Sequence, residues 1–242
     1  FLLSNYPTAY GVDRTAGTHP IRQELENLNE AGSMYGPIIY QKAPIVMRQL
    51  ERIMGPDKFQ EGLRVYLKQF QFGNATWLDL VKVLGDRSDQ DIAGWSKAWV
   101  EEGGRPSIRT DIEGHRLSFI QADPQEGRAL HWTQQMDVLL GNAAGIRSVP
   151  LVFEGERMEV KEYAATPESE FVLPTGGGLA YGDFTLDDRT RTFLLQHLQD
   201  MKDPLTRGAA WVTLWEELLD GRVPPSSIID LGLRSLPKED TE

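Results

Sequence analysis

The chain has 242 residues, of which 40% are hydrophobic and 25% charged, and its formal net charge is −11. This length allows one large domain or two to three small ones, and the composition is that of an ordinary globular protein. The acidic charge argues against a nucleic-acid partner, because phosphate binding needs a concentrated Lys/Arg surface. The absence of cysteine from the sequence excludes disulfides, thiol nucleophiles and cysteine-based metal sites.

Hydropathy predicts no membrane partner. No apolar run approaches the roughly 20 residues that span a bilayer, and the sequence does not open with a basic-then-apolar leader. Because the first residue is Phe1 rather than Met, we expect a processed product or an excised segment. The cytoplasm is the favoured compartment, and a periplasmic or secreted location stays open.

The first part of the chain is predicted to be helical. From about residue 33 to 101, apolar residues recur at three- and four-residue steps. The first helix carries one apolar stripe, made by Ile39, Ala43, Val46, Met47, Leu50, Ile53 and Met54. Gly55-Pro56 ends it and starts a second helix. The segment Thr76–Asp79 reads as a capping box for a third helix, and Asp89 or Asp91 begins a fourth.

The middle part of the chain is predicted to consist of strands. Gly103-Gly104-Arg105-Pro106 stops the helical pattern, and a period of two then runs to about residue 183. The predicted strands are Ser107–Ile112, Arg116–Ala122, His131–Leu140, Ile146–Phe153, Arg157–Tyr163 and Glu170–Leu173. Short strands at this spacing favour an antiparallel β-sandwich. Gly176-Gly177-Gly178 is interpreted as a flexible turn.

Helical periodicity returns near the end of the chain. Thr185–Asp188 is interpreted as a capping box for one helix, and Leu205–Leu219 forms the next. A last short helix follows Pro224-Pro225, and Pro237–Glu242 is predicted to fray. These helices are too few to bury a core alone, so they should pack on the sandwich or belong to a larger helical domain. Trp211 and Trp215, four residues apart, are expected in the core.

The residues alone do not compose a complete active site. The histidines are His19, His115, His131 and His197. None has a second histidine four residues away, so the sequence has no His-Glu-x-x-His zinc helix, and we assign no metal ligand in this chain. A nucleophile elbow and a Walker loop are also absent from the sequence.

Two phenols mark the start of the first long helix. Tyr35 and Tyr40 lie at its start, and Lys42 lies two residues after Tyr40. A phenol fixed at a helix start can donate a hydrogen bond to an oxyanion. The ordinary interpretation is a core tyrosine with a satisfied hydroxyl, beside a lysine whose stem follows the helix while its head stays in water. Pro44 has no N–H for the Tyr40 carbonyl, so the helix should begin here or kink.

A family resemblance runs from Asp13 to Pro106. It is carried, in order, by His19-Pro20-Ile21, Tyr40-Gln41-Lys42, Gly55, Phe59 to Leu67, Asn74-Ala75-Thr76, Trp99 and Gly104-Arg105-Pro106. This order resembles the zinc aminopeptidase family of aminopeptidase N, of the gluzincin type. The family pattern is Tyr-Glu-Lys-Gly, whereas this chain has Gln41 and Ala43. Pro44 also departs from the pattern, and because the helix must begin or kink there, it puts the fine aim of Tyr40 in question and leaves the assignment in place.

The resemblance implies a catalytic role for Tyr40. In the family, the His-Glu-x-x-His helix and a distal glutamate precede this tyrosine, whose hydroxyl stabilises the tetrahedral oxyanion. We therefore expect the segment to lie C-terminal to the zinc-binding motif, with the zinc ligands upstream of residue 1 and no metal bound by the segment itself. The expected partners are peptide substrates and the upstream half of the same protein. Tyr35 is given no chemical step.

The resemblance also implies a multidomain α and β architecture. Residues 1–104 are expected to form the C-terminal helical end of a thermolysin-like catalytic domain, 105–183 an antiparallel β-sandwich domain, and 184–242 the start of a truncated helical C-terminal domain. The implied function is a fragment of a zinc metallo-aminopeptidase, inactive when isolated. The alternative is a non-catalytic binding or scaffold protein of the same architecture.

Overall fold

The computed structural model describes residues 1–25, 27–142, 145–165 and 169–239. Its α-helices are α1 (Leu2–Asp13), α2 (Ala43–Met54), α3 (Pro56–Gln69), α4 (Trp77–Gly85), α5 (Ile92–Ser96), α6 (Asp188–His197), α7 (Pro204–Leu219) and α8 (Pro225–Ser235). Two π turns, Ile38–Lys42 and Lys97–Glu101, flank the first helical region. Within the described ranges, no helix combines the length and apolarity needed to cross a membrane.

The strands form two small sheets. They are β1 (Ser107–Glu113), β2 (Arg116–Ala122), β3 (Gln134–Asn142), β4 (Gly145–Phe153), β5 (Arg157–Glu159), β6 (Phe171–Leu173) and β7 (Asp183–Thr185). One sheet has the order β5-β2-β1-β7 and the other the order β4-β3-β6. The pairing is antiparallel except that β1 and β7 run parallel. The expectation of a wholly antiparallel arrangement is therefore wrong at that edge.

Capping residues decide where the helices begin. Thr76 and Asp79 exchange side-chain and backbone hydrogen bonds in a capping box at the start of α4, as predicted. Asp91 caps α5 by accepting from the Gly94 N–H. The predicted capping box at Thr185–Asp188 is wrong, because Thr185 ends β7 and Asp187 caps α6 instead. Thr185 pairs with β1 as part of a strand, so it does not begin the helix.

The apolar cores bind the three predicted parts together. One core combines residues of both sheets, including Phe119 and Val138. A second joins α6, α7 and α8 to Leu139 and Phe171, which confirms that the last helices pack on the strands. The third core joins α1 and the first helical region to Trp132 and Tyr181, which lie in the predicted strand region, residues 105–183. The domain boundaries at 104 and 183 stay predictions.

Three local expectations are corrected. Gly176 is closely packed rather than flexible, because a Cβ there would lie 2.3 Å from the Leu139 side chain. Trp215 is 46% exposed and not a core residue, whereas Trp211 packs against the last core as expected. The predicted strand Arg157–Tyr163 stops at Glu159. Of the predicted frayed end, residues 240–242 lie outside the described residues.

Candidate functional site

Tyr40 lies on a π turn, Ile38–Lys42, which we call the tyrosine turn. The Ala43 N–H donates to the Ile38 carbonyl across this turn, and the Tyr40 N–H donates to the Gly36 carbonyl at 3.0 Å. Pro44 follows at once and has no N–H to give. The helix therefore continues through the proline by widening one turn, at the point where the sequence predicts that the helix begins or kinks.

The two phenols lie together on the surface. Tyr40 is 55% exposed and Tyr35 is 64% exposed, and their ring centroids are 5.8 Å apart. Among the described residues, neither hydroxyl has a hydrogen-bonding partner. The interpretation of Tyr40 as a core residue with a satisfied hydroxyl is therefore wrong. Its phenol is available to a ligand.

Lys42 faces the opposite way and is 1% exposed. Its Nζ lies 2.8 Å from the Asp13 carboxylate and donates to the Gly104 carbonyl at 2.6 Å. The expectation that its head stays in water is therefore wrong. The signal was in the sequence, since Lys42 lies four residues after Ile38 and three before Ile45, both of which are fully buried.

The Lys42 cluster, as we call it, consists of Lys42, Asp13, Gly104, Thr18 and Tyr181. The Thr18 hydroxyl donates to Asp13 Oδ1 at 2.8 Å, and the Tyr181 hydroxyl donates to Oδ2 at 2.8 Å. Burial raises the pKa of Tyr181, and the Asp13 charge adds to that rise, so Tyr181 stays a donor. Burial also lowers the pKa of Lys42, against the opposing effect of Asp13. Asp13 thus accepts from Thr18 and Tyr181 and pairs with Lys42.

A second ionic cluster begins at Arg14, the residue that follows α1. Arg14 contacts Glu216 Oε1 at 2.6 Å, and Arg105 contacts Oε2 at 2.8 Å. The Arg105 guanidinium also lies 4.3 Å from the centre of the Tyr10 ring. We call Glu216, Arg14, Arg105 and Tyr10 the Glu216 cluster. Sequence reasoning used Arg105 only in the break before β1 and in the family resemblance, and no local pattern indicated its partner on α7.

The described residues do not fit a zinc centre. Within the described ranges, no group of three or more His, Asp or Glu side chains could hold a metal ion. The Nδ1 atom of His19 lies within hydrogen-bonding distance of the Pro20 carbonyl oxygen, at 2.9 Å. The Nδ1 atom of His197 lies 3.5 Å from the Asp200 carboxylate. We therefore derive no chemical step through a metal from these residues.

Comparisons with known proteins relate this chain to one family of peptidases. Residues 1–99 match the Peptidase family M1 domain. The chain is 29% identical to aminopeptidase N of Streptomyces lividans, covering 96% of this chain and 29% of that protein. It is 26% identical to puromycin-sensitive aminopeptidase of Caenorhabditis elegans, covering 99% of this chain and 26% of that protein. The chain thus spans less than a third of these relatives, and the M1 domain match and these relatives together support a segment of the M1 aminopeptidase family.

Proposed function

We propose that the protein containing this chain is a zinc aminopeptidase that hydrolyses N-terminal residues from peptides. The M1 domain match and the aminopeptidase relatives support this activity. Zinc is the proposed cofactor, with its ligands upstream of residue 1, and the upstream half of the same protein is the proposed partner of this segment. The favoured compartment stays the cytoplasm.

The finer architecture belongs to the same proposal. Residues 1–104 end the catalytic domain, 105–183 form the β-sandwich domain, and 184–242 begin the C-terminal helical domain. The core shared by the two sheets supports the sandwich. The packing of α6, α7 and α8 on the second sheet supports a helical region that begins against the strands.

Tyr40 is the proposed oxyanion donor. When water attacks a peptide carbonyl, negative charge develops on the carbonyl oxygen, and a fixed O–H donor stabilises that charge more than it stabilises the substrate. The observation that carries the assignment is an exposed phenol on a turn whose other side is buried: Tyr40 is 55% exposed, and Lys42, two residues on, is 1% exposed. Tyr35 contacts the ring of Tyr40 and performs no step.

The direct test is Tyr40→Phe in the full-length protein. Removing one oxyanion donor should lower kcat by about 10²–10³-fold. Zinc content, measured by atomic absorption, should be unchanged, because the phenol is proposed to contact the reacting oxygen and not the metal. Full activity in this variant would remove Tyr40 from the mechanism.

The isolated 242-residue chain gives a separate test of the proposal. We expect it neither to bind zinc in stoichiometric amount nor to hydrolyse amino-acid anilides. Hydrolysis by the isolated chain would contradict the assignment of the zinc ligands to the rest of the protein. A full reading frame without His-Glu-x-x-His before residue 1 would instead favour the non-catalytic scaffold.

A further inference from the structure

We propose that Lys42 is a positioning residue for Tyr40: its buried ammonium anchors the tyrosine turn and thereby aims the phenol. The proposal rests on the proposed role of Tyr40. It concerns a residue on the inner side of the turn, where Lys42 has no access to a substrate because its side chain is 1% exposed.

The contacts of Lys42 fix the position of its ammonium group. Nζ is held at 2.8 Å by the Asp13 carboxylate and at 2.6 Å by the Gly104 carbonyl, and it lies 5.6 Å from the centre of the Tyr181 ring. A buried charge that loses such partners is strongly disfavoured. The ammonium therefore cannot drift toward another set of contacts, as an exposed lysine would.

The backbone of the tyrosine turn needs such an anchor. Its π geometry departs from the regular i to i+4 pattern, and Pro44 removes one of the N–H donors that would otherwise follow. Side chains directed inward must then set the direction of the turn. Those are Ile38, 0% exposed, and Lys42, 1% exposed, and Tyr40 lies between them and points outward.

The anchor points are themselves fixed by separate segments of the chain. Asp13 ends α1 and also accepts from Thr18 and Tyr181. Gly104 has a φ of +92°, and the carbonyl before it accepts from Arg128 at 2.9 Å. Because these points lie in distant segments that have other contacts of their own, loss of the Lys42 contacts should move the turn and not the anchors. A shift of about 1 Å in a catalytic group can lower turnover on the order of 10²-fold.

The test is a double-mutant cycle in the full-length protein, with Lys42→Met, Tyr40→Phe and the double variant. Met keeps the length of the stem and removes the charge. Lys42→Met should lower kcat roughly 10- to 100-fold with KM within about threefold. In the Tyr40→Phe background the same change should alter kcat by less than about twofold, because a residue that acts through Tyr40 has nothing left to aim.

Gln49→Leu is the matched control for a merely structural effect. Gln49 is 0% exposed on α2, and its amide donates to the carbonyls of Gln135 and Leu179. Its loss should reduce the melting temperature and leave kcat of the folded enzyme within about twofold. If Lys42→Met does not accumulate as folded protein, Asp13→Asn replaces it, since Asn keeps the volume and neutralises the partner of Lys42, and the same coupling with Tyr40→Phe is expected.

The outcomes separate this proposal from the one it rests on. An equal fall in kcat on removing Lys42 from both backgrounds, or an unchanged kcat in Lys42→Met, overturns the positioning role while Tyr40 stands. An unchanged kcat in Tyr40→Phe overturns the oxyanion role, and the positioning role falls with it. Loss of kcat in Lys42→Met that disappears in the Tyr40→Phe background supports both.

Discussion

Neighbouring residues at the end of α1 lead into two buried ionic clusters with different consequences. Asp13 belongs to the Lys42 cluster and Arg14 to the Glu216 cluster. Both clusters hold charged side chains that are buried, apart from the partly exposed Arg14, and both join segments distant in sequence. Only the Lys42 cluster connects to a turn that displays an exposed phenol. We infer that a buried ion pair acquires a functional role when the backbone it holds carries a catalytic side chain. The stabilisation energy of the ion pair does not by itself give it that role.

The physics of burial sets the size of the predicted effects. A buried ion pair contributes little net stability compared with a well-packed apolar substitute, because desolvation offsets attraction. Removal of one partner is costly, since the other charge stays buried without compensation. Changes in the Glu216 cluster should therefore alter stability alone, whereas changes in the Lys42 cluster should alter stability and turnover. The predictions below test that difference.

The largest stability effect is expected for Glu216→Leu. Glu216 is 2% exposed and contacts both Arg14 and Arg105, so its loss leaves two confined guanidinium groups unpaired. The free energy of unfolding should fall by about 3–5 kcal/mol, with kcat of the folded enzyme unchanged. Urea unfolding followed by tryptophan fluorescence measures the first quantity, and steady-state kinetics the second.

The control for Glu216→Leu is an exposed pair. Asp86 is 59% exposed and contacts Lys82 at 3.1 Å on the surface of α4, and Asp86→Ala should cost no more than about 0.5 kcal/mol. Equal stability of the two variants would contradict the importance assigned to the Glu216 cluster. A selective loss of turnover in Glu216→Leu would erase the difference between the clusters.

A smaller effect is expected at the start of α7, the helix that carries Glu216. Asp203 caps this helix by accepting from the Thr206 N–H at 2.8 Å, so Asp203→Ala should destabilise by about 1 kcal/mol. The hydrogen bond from the Thr206 hydroxyl lowers the pKa of Asp203. The ionised cap therefore contributes fully above the usual Asp pKa of about 3.9, and the contribution is lost as pH falls through the lowered folded value.

Asp203→Asn supplies the matched control for that pH dependence. Asn keeps an oxygen that can accept from Thr206 but does not titrate. Unfolding curves between about pH 2 and 7 should show the gap between wild type and Asp203→Asn closing at low pH. A gap that is constant across this range would contradict a charge-dependent cap.

The smallest effect is expected on the exposed side of α1. A Cβ at Gly11 would meet nothing within 4 Å, so Gly11→Ala should stabilise α1 by about 0.5–1 kcal/mol. Because α1 presents Asp13 and Arg14 to the two clusters, the melting temperature should rise with no change in kcat. A fall in stability would indicate that α1 is held in a conformation that alanine opposes.

The sequence predicts local features of this protein well. The capping box at Thr76 follows from residue types three positions apart. Pro44 predicts an irregularity in the helix, although not its form, which is a π turn. Periodicity did not predict helix α1, because Pro7 and Gly11 interrupt its pattern of apolar residues. Strand β7 was also not predicted. It contains only Asp183–Thr185, and it pairs in parallel with β1, which is distant in the sequence.

The candidate site also has features that the sequence predicts and features that it does not. Tyr40 was identified by resemblance, and the burial of Lys42 could have been found from its spacing to Ile38 and Ile45. The partners of Lys42 could not, because Gly104 and Tyr181 meet it only through the tertiary fold. Residue spacing determines which face a side chain occupies, whereas the charge that meets it there depends on how distant segments pack.

The most direct test of the account compares kcat of Tyr40→Phe and Tyr35→Phe in the full-length protein. Both variants lose one hydroxyl from rings whose centroids lie 5.8 Å apart, so they differ in role and little in environment. The account predicts a fall of about 10²–10³-fold for Tyr40→Phe and a near-normal kcat for Tyr35→Phe. Equal effects of the two substitutions, or an active Tyr40→Phe enzyme, would contradict it.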